Sequence, residues 1–300
     1  VAADRVRFGI RVATCSYNGH ADWWRVDQQA LDTLVRHGDV VVVTMAGNSG
    51  GLREYHYGAT NLLTVGATET NTRRVAGFSW QGPHWKVADR TYPHLVGNGV
   101  DVVLPLSDAE GNNRTSRGTS YSAPQVAGAA ALYLSQRTLA HPTEVYAAIL
   151  ATTQPIDAAN PGPYPRNNKR NRFGVGYLHI ERLVHLAQNP GKGLVASSSL
   201  TPTRQMVNFN LQVQQGVRYS AALSWLRTGT GQTADWSNLN FQVAMNGQVL
   251  ARGNSPQNLY EHMRFRAPAT GTAVITVNAA SLEPRQPLQI FSLVATPETD

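Results

Sequence analysis

This sequence of 300 residues is short of cysteine, lysine and charged side chains, and each shortage narrows what the protein can be. Cys15 is the only cysteine, so no disulfide can form within the chain and disulfides say nothing about export. It lies in a strand-like run, where a buried structural thiol is the ordinary outcome and a nucleophile is not. No apolar run reaches the ~18 residues of a membrane span, so no transmembrane segment is predicted. The formal net charge of +7 is carried almost wholly by arginine, because Lys86, Lys169 and Lys192 are the only lysines. The densest basic stretch, Arg166 to Arg172, has no aromatic residue before Phe173. It therefore reads as a solvated loop, with no nucleic-acid partner. With 42% hydrophobic and only 15% charged residues, the composition suits a packed core and not disorder, and the length allows about two domains.

What is present is concentrated in two blocks. In Gly118-Thr119-Ser120-Tyr121-Ser122-Ala123-Pro124-Gln125-Val126-Ala127-Gly128 a serine stands among small residues where a loop turns into a helix. Unpaired backbone N–H groups and the positive end of the helix dipole meet there, an environment that favours an attacking oxygen and the oxyanion it creates. Pro124 is expected in the first helical turn, where its missing N–H removes no hydrogen bond. The block is not a Gly-x-Ser-x-Gly elbow, since Ser122 occupies the place of the second glycine. The second block begins with Val40 to Met45, a mainly β-branched run of the kind found in buried parallel strands, and ends in Ala46-Gly47-Asn48-Ser49-Gly50. Ligands of doubly wound sheets bind at the carboxyl ends of such strands. Taken separately, Ser120 also reads as a helix cap and Asn48 as a turn residue.

Together the two blocks resemble the subtilisin-like serine proteases, the subtilases. Asn61 to Thr68, Val75 to Ser79 and Val100 to Pro105 resemble the strands lying between them in that family, and the resemblance runs over roughly residues 6 to 188. It implies an α/β fold, a doubly wound and mostly parallel sheet whose N-terminal part is absent from this sequence, and serine endopeptidase activity. It also implies that Ser120 forms the acyl-enzyme and that Asn48, with the Ser120 N–H, holds the oxyanion. A peptide substrate would run as an added strand beside Ser16, Tyr17, Asn18 and Gly19. Ala46 and Gly47 would line a roomy or apolar pocket.

The family also needs an aspartate in an Asp-Ser/Thr-Gly setting and a histidine in a His-Gly-Thr-type helix start, and neither motif occurs here. Among the nine histidines, His37 suits a helix C-terminus, His56 follows the asparagine block, and His179 and His185 belong to a late helix. Asp101 and Asp108 read as loop carboxylates. The start Val1-Ala2-Ala3-Asp4, without methionine or a signal-peptide pattern, reads as a processing product or a trimmed chain. The expectation is therefore an N-terminal fragment of the same precursor that carries the catalytic Asp and His, leaving this chain alone inactive. The alternative is a catalytically inactive subtilase-like scaffold or binding protein. No cofactor and no metal ligand are called for; a structural calcium is open from the family and not marked by these residues. Export rests on the resemblance only.

Along the rest of the chain, Phe8 to Ser16, Val26 to Arg36 and Val40 to Thr44 read as a βαβ unit with parallel strands. Helices are predicted over Glu144 to Thr152, with Thr143 as its cap, and over Ile180 to Gln188. Asn189-Pro190-Gly191-Lys192-Gly193 breaks the pattern and separates residues 1–190, a catalytic-domain portion, from residues 194–300. The latter read as a β-sandwich with strands at Val207 to Val213, Tyr219 to Trp225, Leu239 to Met245, Ala273 to Val277 and Leu288 to Val294. Asn246-Gly247 is its strongest hairpin signal. This part is similar to the jelly-roll-like domain that follows some subtilase catalytic domains, but it carries Asn238 and Asn240 where carboxylates would argue for calcium.

Overall fold

The computed structural model describes residues 4–17, 22, 25–50, 58–70, 72–82, 90–105, 113–156, 170–229, 236–285 and 287–298. In chain order the first part contains α1 (Arg5–Phe8), β1 (Val12–Cys15), α2 (Val26–Arg36), β2 (Val41–Met45), β3 (Leu63–Thr68) and β4 (Leu95–Asn98). The short strands β5 (Val102–Pro105) and β6 (Asn113–Ser116) follow, and then the helices α3 (Thr119–Gln136), α4 (Pro142–Ala151), α5 (Arg170–Phe173) and α6 (Ile180–Gln188). After a 3₁₀ turn at Pro190–Lys192 the described elements are all strands. These are β7 (Leu194–Leu200), β8 (Met206–Val213), β9 (Arg218–Trp225), β10 (Asn238–Met245), β11 (Gln248–Gly253), β12 (Tyr260–Arg266), β13 (Gly271–Ser281) and β14 (Gln289–Pro297).

The strands β1, β2, β3 and β4 form a parallel sheet in that order, and α3 packs across all four. Every residue of β2 is buried, as its β-branched sequence requires of a strand covered on both faces. The later strands form two antiparallel sheets of order β11-β10-β13-β8 and β12-β9-β14-β7. They share a core to which Phe241, Val243 and Ile275 contribute from one sheet and Leu223, Trp225 and Phe291 from the other. The Asn246-Gly247 turn between β10 and β11 has φ of 51° and 79° at its two residues, the left-handed pair that matches strand twist in a two-residue hairpin.

The sheet β12-β9-β14-β7 is covered on its other side by α4, all ten residues of which are buried. On β9 this explains an unbroken buried run: Ala221, Leu223 and Trp225 enter the two-sheet core, while Ala222 joins the core of the parallel sheet and α4. Small side chains on that face let the helix approach closely. Two amide clasps close the same seam. Asn61 accepts from the Arg227 N–H (2.7 Å) and donates to the Arg227 carbonyl (3.0 Å). Asn258 accepts from the Thr91 N–H (2.8 Å). The Tyr146 hydroxyl of α4 takes the Val42 N–H (3.0 Å) and lies 3.0 Å from the Asn61 carbonyl, tying helix, sheet and clasp together.

The structure corrects several sequence expectations. The α4 cap is His141, whose Nδ1 accepts from the Thr143 N–H (3.3 Å); the Thr143 hydroxyl instead meets Ser292 of β14 at 2.8 Å. With a proline at the first helical position, the cap lies two residues further back than the expected Thr143. Val75 to Ser79 is no strand: one bridge, Thr68 to Val75, precedes a turn. The strands β4, β6, β7, β11 and β12 had no counterpart in the sequence reading. Most of the basic Arg166–Arg172 stretch lies outside the described residues.

His94, at the start of β4, is buried under the ring of Tyr260, with centroids 5.2 Å apart. Its Nδ1 accepts the Thr64 N–H at 2.9 Å, which places the ring proton on Nε2. Burial first, then the Arg90 guanidinium, pull its pKa down to about 3. The folded protein thus keeps this imidazole neutral where the unfolded chain, with an ordinary histidine, takes up a proton. Its contribution to stability is complete above pH 6.5 and is lost as pH falls from there toward 3, at about 1.4 kcal/mol per pH unit. Urea unfolding at pH 6.5 and pH 5 is expected to show the natural protein losing about 2 kcal/mol more than His94→Asn, whose amide keeps an acceptor for Thr64. Equal losses in the two proteins would mean that the buried ring is not the acid-sensitive group.

Candidate active site

The site is built where the tip of β2 meets the start of α3. Asn48, three residues beyond β2, lies beside Thr119, the first residue of α3. Its Oδ1 accepts from the Thr119 N–H (2.7 Å) and from the Thr119 hydroxyl (2.9 Å), and that hydroxyl in turn accepts from the Gly47 N–H (3.0 Å). Because a backbone N–H must face an acceptor, these contacts fix which end of the amide is oxygen and leave Nδ2 on the other side.

Gly118 shows where that other side points. Its φ of 151° is one that side chains rarely adopt, and a Cβ built on it would lie 3.0 Å from Ser120 Oγ and 3.4 Å from Asn48 Nδ2. The hydroxyl and the amide therefore flank one small space above the glycine. The absence of a side chain keeps it open. Ser120 is half-buried and Asn48 is exposed, so the space is reachable from solvent.

Pro124 lies inside α3, past its first turn, and not within it as expected. There it withholds the N–H that would bond to the Ser120 carbonyl four residues back. Ser16 supplies the replacement: its hydroxyl donates to Ser120 O at 3.0 Å. One residue thus ties the end of β1 to the backbone of Ser120. This contact was invisible in the sequence, where Ser16 stood out only as part of a substrate strand.

Of the other residues singled out, Tyr17 is exposed and hydrogen-bonded to Cys15, whose buried thiol is pushed above its ordinary pKa. Asn18 and Gly19 lie outside the described residues, as do His56 and Asp108. Ala46 and Gly47 are buried, and the space beside them is not roomy on the inner side. A Cβ on Gly47, whose φ is 120°, would meet the Trp80 ring at 2.2 Å. Tyr92 donates to the Ala46 carbonyl at 3.2 Å. Trp80 and Tyr92 form a small core of their own with Ala46 that backs this wall, a feature no local sequence pattern announced.

Among the described residues no histidine hydrogen-bonds Ser120. His37 caps α2, His94 and His141 are placed as above, and His179 caps α6 by accepting the Arg182 N–H at 3.2 Å. His262 meets Ser220 at 3.0 Å inside the two-sheet part. No three His, Cys, Asp or Glu side chains among the described residues gather as a metal-binding group, and no described helix is long and apolar enough to cross a membrane.

Comparison with known proteins finds relatives for this chain. The extracellular serine proteinase of Thermus sp. (strain Rt41A) is 36% identical over 143 residues, covering 46% of this chain and 33% of that protein. Subtilisin-like protease PopC of Myxococcus xanthus (strain DK1622) is 36% identical over 118 residues, covering 37% and 24%. The solved structure of patellamide maturation protease PatA matches in fold with a TM-score of 0.50 at 20% identity, over 63% of this chain and 66% of that one. The chain spans only a sixth to about a third of the length of the curated relatives it matches, from 16% to 35%. The model of the Subtilase family matches residues 2–177, which hold the parallel sheet, the Asn48 tip and the Ser120 helix, and the chain belongs to that family.

Proposed function

We propose that this chain is the Ser120-bearing portion of a serine endopeptidase whose catalytic Asp and His are supplied by an N-terminal fragment of the same precursor. The observation that carries the reading is the convergence of Ser120 Oγ and the locked Asn48 Nδ2 above Gly118. Ser120 Oγ attacks the carbonyl carbon of a peptide bond while the histidine takes its proton, and the oxyanion is held by Asn48 Nδ2 and the Ser120 N–H. The tetrahedral intermediate expels the amine, which leaves with that proton. Water then releases the acyl group from Ser120. Chemistry of this kind requires no cofactor.

Two surfaces support a complementing fragment. Among the described residues β1 pairs only with β2, so the outer edge of the parallel sheet is open. Beside it, α3 turns Pro124, Gly128, Ala131 and Leu132 outward, and a Cβ on Gly128 would meet nothing within 4 Å. A parallel strand added to β1 would end next to Ser16, and hence next to Ser120, which is where a catalytic aspartate is needed. A substrate peptide would lie along Ser16, Tyr17, Asn18 and Gly19, with Ala46 and Gly47 against the side chain preceding the cleaved bond. Residues 194–300 would serve as a jelly-roll-like domain attached to a catalytic portion ending near residue 190, and the protein would work outside the cytoplasm.

A fluorophosphonate probe tests the reading. Residues 1–300 alone are expected to label weakly or not at all; co-expressed with the precursor segment carrying Asp and His, they label at Ser120, and Ser120→Ala removes the label. If the assembled pair stays unlabelled, the inactive scaffold is the correct description.

A further inference from the structure

A second region with recessed surface lies along the seam between α6 and the ends of β9, β12 and β14. Two clefts meet there, of about 460 Å³ and 640 Å³, and share His179 and Arg182 as common walls. Volumes of this size hold small-molecule ligands. The charged side chains around them are mostly cationic. Arg182 and Lys192 come from the α6 side, and Arg218 and Arg266 from the two-sheet part. Among the described residues lining them, only two carboxylates, Glu181 and Glu298, face these four cations. Glu298 is already engaged by Arg264 at 2.6 Å, with Arg218 at 3.8 Å. Arg266 donates to the Gly216 carbonyl, which satisfies an N–H without matching its charge.

We propose that this seam binds a small polyanion bearing at least two carboxylate or phosphate groups, held between Arg182 and Lys192 on one side and Arg218 and Arg266 on the other. Guanidinium pairs favour planar, bidentate anions, and a cleft with low-dielectric walls focuses their field. His179 senses that field: burial first and Arg182 second hold its imidazole below the ordinary histidine range. A ligand that touches both sides binds only while the two-sheet part is docked, so it stabilises the folded chain by mass action. The proposal stands apart from the peptidase reading, and its test needs no catalytic activity.

The experiment uses the full 300-residue chain with citrate and pyrophosphate as separate probes and sodium chloride at matched ionic strength as control. Isothermal titration is expected to show saturable binding of at least one probe, and the melting temperature to rise with that probe beyond the salt control. Citrate alone would identify a carboxylate ligand and pyrophosphate alone a phosphate ligand. The double variant Arg218→Gln/Arg266→Gln is expected to weaken binding about tenfold or more. Its ligand-free melting temperature should stay within about 2 °C of the parent, since both side chains are exposed and the Arg218 ion pair is long. Should the double variant melt earlier, Arg266→Gln alone is read instead. Absence of binding beyond the salt control, or unchanged affinity in a variant that folds, would overturn the assignment.

Discussion

Without residues 190–300, the remaining chain is expected to lose its cooperative fold. The ten buried residues of α4 rest on β9 and β14, and Ala222, Leu226, Tyr260 and Val294 belong to the same core as Val42, Tyr146 and Leu150. Cutting the chain strips one face from that core. Each large apolar side chain returned to water costs about 1.5–3 kcal/mol, against a total stability of roughly 5–15 kcal/mol for a typical protein. The cut also orphans the buried amide of Asn61 and the Thr91 N–H, each at about 1–3 kcal/mol. Summed over the uncovered face of α4 and the two amide clasps, such losses become comparable to the whole margin. Thermal melts and urea titrations of residues 1–189 beside residues 1–300 would measure it, and a soluble truncated chain with a sharp transition would show that α4 needs no such cover.

The second large effect falls on catalysis in the proposed assembly of this chain with an N-terminal fragment. Asn48→Ala is expected to lower kcat by about 10²–10³, or ~2.7–4 kcal/mol, and to leave KM nearly unchanged. The reason is positional: Nδ2 is held over Gly118 by the two bonds Oδ1 takes from Thr119, so it meets an oxygen that carries full charge only in the transition state. Removing the Thr119 hydroxyl with Thr119→Val should cost less, about tenfold, because the Thr119 N–H still anchors the amide. Steady-state kinetics on a peptide substrate separates the cases. A loss confined to KM would mean that Asn48 binds ground-state substrate and is not an oxyanion donor.

The features legible in the sequence share a physical basis. The run Val41 to Met45 had to be a covered parallel strand, and Asn246-Gly247 had to turn a hairpin, because local backbone preferences and side-chain period act within a few residues. A helix after the serine block was readable for the same reason, but its start was not: Pro124 was expected in the first turn, whereas α3 begins at Thr119. The strand β12, Tyr260–Arg266, was not: Glu261, His262 and Arg264 look like solvent residues until Ser255, Ser220 and Glu298 are brought to them. The strand β9 was legible as a short run between turns even though burial on both faces leaves it no alternation.

What the sequence settled on its own is the family, the order of strand tip and serine helix, and the lack of a family-type aspartate or histidine motif; each is written in contiguous residues. What only the tertiary structure decided are contacts between distant residues. These are the Ser16 hydroxyl on the carbonyl that Pro124 leaves unbonded, Trp80 behind Gly47, the neutral His94, and the docking of β9 and β14 over α4. Such contacts depend on which surfaces close-packing brings together, and neither propensity nor period encodes that choice.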